Sequence, residues 1–227
     1  MWSALLPTLS ASYRVLAPDL PGYGEATMAP GPFSNVAEVV GFLDDLNVPS
    51  AAFVGASFGG RVALEVATAH PDRVERLVLL CPGLRGLEPT AAAESFDAEE
   101  WRLIESGDLE GAVALNVDTW LGPDADEEAR DLLTRMQRQA FEVQLAADEW
   151  PDPPTMIHDT VELGSIRVPT TVVLGAKDVD WLQTAARRVA ADVPGADLVE
   201  LDWAGHLPAL ERPAETAELV LAALNDR

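Results

Sequence analysis

Gly55-Ala56-Ser57-Phe58-Gly59-Gly60 follows an apolar run at residues 51–54 and opens a helix-like stretch at residues 61–69. Strand, sharp turn and helix in that order are what a nucleophile elbow requires. The turn strains the serine backbone so that its Oγ projects above the sheet, and the flanking glycines let strand and helix approach without Cβ clashes. Ser57 is therefore the candidate nucleophile.

A serine hydroxyl attacks poorly near neutral pH, so it needs a base within hydrogen-bond reach and a third group to orient that base. The chain has three histidines, His70, His158 and His206. In the elbow architecture the order is serine, acid, histidine, each on a loop after a strand, and His206 fits it. It follows residues 197–201, an apolar-rich run that reads as a strand, within Leu201-Asp202-Trp203-Ala204-Gly205-His206. The acid should end an earlier strand. Residues 170–174 are β-branched and apolar and lead into Gly175-Ala176-Lys177-Asp178, so Asp178 is the candidate, with Asp180 two residues on as its rival. His70 stands where a helix must stop before Pro71, a position suited to a last-turn cation. His158 lies in a proline-rich approach to a strand and reads as a loop residue.

Four local patterns come in family order: Ala17-Pro18-Asp19-Leu20-Pro21-Gly22-Tyr23-Gly24, then Gly55 to Gly60, then Gly175-x-x-Asp178, then Gly205-His206-Leu207-Pro208-x-Leu210-Glu211-Arg212-Pro213. Together they resemble the α/β-hydrolase family over nearly the whole chain. The resemblance implies an α/β fold, with a mostly parallel sheet flanked by helices and a helical cap inserted. It also implies Ser57 as nucleophile, His206 as general base and then acid, Asp178 rather than Asp180 as the residue holding the imidazole, and the Phe58 N–H as an oxyanion donor.

Members of that family carry a His-Gly loop after their third strand, then a tryptophan-bearing helix. Here Met1-Trp2-Ser3-Ala4-Leu5-Leu6-Pro7 resembles that helix, and residues 13–17 are expected to be the next strand. Three strands and the oxyanion loop are missing from the pattern. A gap inside the sheet would leave buried backbone groups unpaired, at about 1 to 3 kcal/mol each. The expectation is therefore a shortened form of a longer protein. Its competitor is an impaired family member that binds a ligand without turning it over.

Composition agrees with a globular enzyme. At 227 residues and 48% hydrophobic content the chain can bury one substantial core. The formal charge of −23, from 38 acidic against 15 basic residues, repels nucleic acid and anionic membranes, leaving a small molecule as the expected partner. No apolar run is long enough to span a bilayer and no signal-peptide pattern opens the chain, so a cytoplasmic location is the default expectation. Cys81, the single cysteine, ends the apolar run 77–80 and reads as a core hydrophobe. No Cys or His cluster has metal-ligand spacing and no phosphate loop occurs, so no metal or cofactor is implied.

Residues 1–83 and 165–227 are expected to form the hydrolase core, and residues 84–164, where alternation gives way to helices, the cap. Asp97-Ala98-Glu99-Glu100 has a capping pattern, predicting a helix that starts there. Residues 108–121 and 126–147 predict two more. Trp101, Trp120, Phe141 and Trp150 are candidate substrate contacts, although docking alone also demands large apolar residues on such helices. The expected chemistry is cleavage of a small ester, lactone or thioester through an acyl-enzyme, with carbon–carbon bond hydrolysis by the same triad as an alternative. Serine at the elbow disfavours epoxide opening and dehalogenation, for which the family generally uses aspartate.

Overall fold

Side chains alternate strictly across the central strands, and that alternation builds two apolar layers. The computed structural model describes residues 1–226, with elements in the order α1 (Leu6–Ser10), β1 (Pro32–Ser34), α2 (Asn35–Asp45), β2 (Ala51–Ala56), α3 (Phe58–Ala69), β3 (Val74–Leu80), α4 (Ala91–Glu105), α5 (Leu109–Trp120), α6 (Glu127–Asp148), β4 (Thr155–Ile157), β5 (Thr170–Gly175), α7 (Asp180–Asp192), β6 (Asp197–Leu201), α8 (Pro208–Glu211) and α9 (Pro213–Asn225). Among the described residues the main sheet is parallel, in the order β2-β3-β5-β6. Leu77 and Leu79 of β3, with Val172 and Leu174 of β5, face one layer, where Val62, Leu64 and Val66 of α3 and Val189 of α7 close over them. Val78, Leu80 and Val173 point the other way, against Leu5, Leu9 of α1, and Ala217 and Val220 of α9. A parallel sheet covered on both faces reads in sequence as continuous apolar runs, which is why β3 and β5 were legible.

The sheet ends at β2 among the described residues, and the strand expected at residues 13–17 does not form. With no neighbouring ladder to accept its N–H and C=O groups, that segment gains nothing from extension into a strand. Val15 still packs in the same apolar cluster as Val54.

Residues 84–164 are mainly helical. Asp108 caps α5 by accepting from the Gly111 N–H at 2.9 Å, and Asp126 caps α6 by accepting from the Ala129 N–H at 2.8 Å. The start of α4 is corrected: its cap is Thr90, which accepts from the Ala93 N–H at 3.2 Å, so Asp97 lies inside the helix. The three-alanine run 91–93 has high helix propensity and extends the helix upstream of the capping pattern. The region is not helix alone, because β4 pairs in parallel with β1. Leu103, Val113, Val117, Leu133 and Phe141 pack with Leu207 and Leu210, so these helices dock on the segment just after His206. Among the described residues no helix is long and apolar enough to cross a membrane.

Candidate active site

Ser57 stands between β2 and α3 with φ 50° and ψ −116°, a conformation that L-residues rarely adopt. The turn is possible because strand and helix nearly touch behind it: a Cβ on Gly55 would meet the Gly59 carbonyl oxygen at 2.5 Å. Phe58 occupies the first position of α3, where helix geometry gives its N–H no intrahelical acceptor.

The Ser57 Oγ lies 2.7 Å from Nε2 of His206, and Nδ1 of the same ring lies 2.9 Å from Oδ2 of Asp178. The imidazole is 3% exposed and the Asp178 side chain 1%. Asp178 also accepts the Val179 N–H at 2.7 Å through Oδ1, so both carboxylate oxygens are engaged. Asp180 goes elsewhere: it opens α7 and accepts the Thr90 hydroxyl at 2.9 Å. His70 closes α3, donating its backbone N–H to the Val66 carbonyl at 2.7 Å, and His158 is exposed just after β4.

The loop carrying His206 is fastened from two sides. Its backbone N–H donates to the Trp120 carbonyl at 3.0 Å. The Glu211 carboxylate accepts the Gly205 N–H at 2.9 Å and the Leu207 N–H at 3.2 Å. Cys81 sits against the same loop with φ 46°, its Sγ 3.7 Å from the Gly205 carbonyl oxygen. Ligand-type atoms of Cys81, Asp178 and His206 lie within 4.8 Å of one another, a grouping that sequence spacing does not reveal. Burial, followed by the Asp178 charge, pushes the Cys81 thiol well above its ordinary value, so it stays protonated.

Of the aromatic residues expected to contact substrate, Trp120 alone reaches the imidazole, ring centroids 5.2 Å apart. The others lie elsewhere. Phe141 is buried in the core between α5 and α6, while Trp101 is 61% exposed and Trp150 37%. The aromatic wall is completed by Phe96, 4.8 Å from Trp120, and Trp181, 6.3 Å from it. Neither stood out in the sequence, although Trp181 follows Asp178 by three positions, in the first turn of α7, and that closeness was a usable signal. A groove of about 590 Å³ runs beside this wall, between Phe96, Leu115, Thr119, Val179 and Trp181.

The sequence model described as the alpha/beta hydrolase family matches residues 1–219. The pimeloyl-[acyl-carrier protein] methyl ester esterase of Aromatoleum aromaticum is 31% identical over 246 aligned residues, 97% of this chain and 91% of that protein. A 2-hydroxymuconate semialdehyde hydrolase from a Pseudomonas strain is 43% identical over 114 residues, 46% of this chain and 40% of that one. Among solved structures, a hydrolase from Pseudomonas aeruginosa PA01 superposes with a TM-score of 0.79 at 30% identity, covering 99% of this chain and 84% of the other.

Proposed function

This chain belongs to the alpha/beta hydrolase family and is an enzyme of hydrolase type, and on that premise we propose that it cleaves a small carboxylic ester, lactone or thioester through an acyl-enzyme on Ser57. The observation that carries this reading is the unbroken run of contacts from Ser57 Oγ to His206 Nε2 at 2.7 Å and from His206 Nδ1 to Asp178 Oδ2 at 2.9 Å.

With Nδ1–H donating to Asp178, Nε2 is left as the acceptor of the Ser57 proton. Asp178 fixes the tautomer and stabilises the imidazolium that forms when Oγ attacks the carbonyl carbon. The Phe58 N–H, free at the helix start, supports the oxyanion. One such donor is worth about 10² to 10³ in rate. His206 then returns the proton to the leaving group, and a water activated by the same imidazole hydrolyses the acyl-enzyme.

Turnover of 4-nitrophenyl acetate tests the reading. Ser57→Ala is expected to lower kcat at least about 10⁴-fold in a folded protein. An undiminished rate in that variant would assign the chemistry elsewhere. A second reading, carbon–carbon bond hydrolysis by the same three residues, is favoured by the 43% identity to the semialdehyde hydrolase. Cleavage at a ketone with no turnover of any ester would select it.

A further inference from the structure

One turn of α3 beyond the nucleophile stands Arg61, whose backbone N–H donates to the Ser57 carbonyl at 3.1 Å. Its side chain is only 16% exposed and lies over the Phe58 ring, Cζ 4.6 Å from the centroid. A guanidinium offers five N–H donors in a planar fork, and this one finds few acceptors. Its Nη2 meets the Met156 thioether sulfur at 3.7 Å, a weak acceptor. Its Nε lies 3.4 Å from Glu65 Oε1 as an ion pair, yet that buried nitrogen makes no hydrogen bond. Buried donors without acceptors are costly, and native proteins keep few of them.

Two further basic side chains, Arg85 and His158, lie near it. Arg85 is exposed, two residues past Gly83, whose N–H donates to the Ser57 carbonyl at 3.0 Å, and it has no hydrogen bond or ion pair among the described residues. His158 is exposed at the end of β4. Burial lowers the Arg61 guanidinium from its ordinary value, with Glu65 opposing and Arg85 reinforcing. Burial also lowers the His158 imidazole, and the charges of Arg85 and Arg61 add to it. The nearby carboxylates are Glu65 and Asp159, and Asp159 is engaged by the Ser34 hydroxyl at 2.8 Å. Three basic side chains near one another, Arg61 among them one turn past Ser57, oppose the −23 charge of the whole chain.

The geometry points to an anion subsite in which Arg61, with Arg85 and His158 at its rim, takes a carboxylate at the far end of the acyl chain whose carbonyl meets Ser57. It rests on the hydrolase reading and narrows the substrate to half-esters of short dicarboxylic acids. The planar carboxylate matches the planar fork, a pairing that an ammonium cannot reproduce. Ser57 caps α3 and Arg61 stands one turn into that helix, about 5 Å along its axis, which a few methylene groups span. In the reaction the carboxylate stays unchanged, Ser57 takes the acyl group, the alcohol leaves with the proton from His206, and one water releases the dicarboxylate.

Glutarate is the probe, its binding measured by titration calorimetry, alongside kcat/KM for mono(4-nitrophenyl) glutarate and for 4-nitrophenyl butyrate. Wild-type protein is expected to bind glutarate, with about tenfold or greater weakening in Arg85→Gln. It should also prefer the glutarate ester at least about tenfold, a ratio that collapses in Arg85→Gln and survives in Arg187→Gln, a distant exposed control. Arg61→Gln is expected to abolish binding. Because it also strips packing from Phe58, the exposed Arg85 variant keeps the test decisive if the Arg61 variant does not fold. Glutarate binding that is absent, or equal in wild type and Arg85→Gln, overturns the subsite, as does equal use of the two esters. Arg85-dependent glutarate binding with neither ester cleaved supports the subsite and refutes the hydrolase. Butyrate turnover without glutarate binding refutes the subsite alone.

Discussion

The Trp120 carbonyl, at the last residue of α5, accepts the backbone N–H of His206 at 3.0 Å, and the two rings lie 5.2 Å apart. The Trp120 Nε1–H in turn donates to Asn116 Oδ1 at 2.7 Å, and Asn116 Nδ2 donates to Glu100 Oε1 at 2.5 Å. A polar chain thus runs from α4 through α5 to the histidine that we assign as base, so these helices are tied to the loop that carries it.

Trp120→Phe keeps a ring beside the imidazole but leaves the Asn116 Oδ1, in a residue 3% exposed, without its donor. A loss of about 1 to 3 kcal/mol in unfolding free energy is expected, read by urea denaturation. The kcat for 4-nitrophenyl acetate should fall with KM nearly unmoved, because the change acts on the base. Unchanged stability and kcat would mean that the chain of contacts carries no energy.

Glu211→Ala removes the acceptor of two backbone N–H groups on the His206 loop. Unsatisfied donors of this kind cost about 1 to 3 kcal/mol each, and a loop displaced by about 1 Å can cost on the order of 10² in rate. Activity is expected to fall well beyond what the fraction unfolded explains, measured as kcat at a temperature where circular dichroism reports full folding. Wild-type kcat in the folded variant would remove Glu211 from the positioning of His206.

Cys81 is 0% exposed and its thiol is held protonated by burial. Ellman's reagent at pH 8 should find no reactive thiol in the native protein and one after unfolding in urea. Native-state reaction within seconds would contradict the packing of Cys81 against Gly205.

Glu100 gives a pH signature. Burial raises its carboxyl above the ordinary 4.5, with the Asn116 bond opposing and Asp97 adding. A folded-state value above the unfolded one means that the folded protein holds this proton where the unfolded chain has released it. Ionisation of Glu100 therefore costs stability above the raised value, and the cost disappears as pH falls toward 4.5. Unfolding free energy of wild type minus Glu100→Gln should increase from pH 7 to pH 4.5. A flat difference would show that Glu100 titrates alike in both states.

The elbow, the two later loops and the central strands were legible because their signals are local. Gly55 to Gly60 encodes a turn by its own sterics, and the apolar runs that become β3 and β5 announce burial on both faces. What escaped depends on distant partners. The segment 13–17 has strand composition, yet no ladder beside it. The β1–β4 pair joins two three-residue segments far apart in the chain, too short to carry a pattern. Thr90 rather than Asp97 caps α4, since alanine propensity extends a helix through a plausible start. Trp101 and Phe141 look alike in sequence as large apolar residues on helices, but one is exposed and the other buried under its neighbours, a difference that docking alone decides.

Covalent capture decides whether Ser57 is the nucleophile that His206 and Asp178 activate. Incubation with a fluorophosphonate, followed by intact mass measurement and peptide mapping, should give a single adduct on Ser57, none in Ser57→Ala, and a rate lowered at least about 10³-fold in His206→Ala. A folded wild-type protein that stays unlabelled, or one labelled equally in Ser57→Ala, would contradict the assignment.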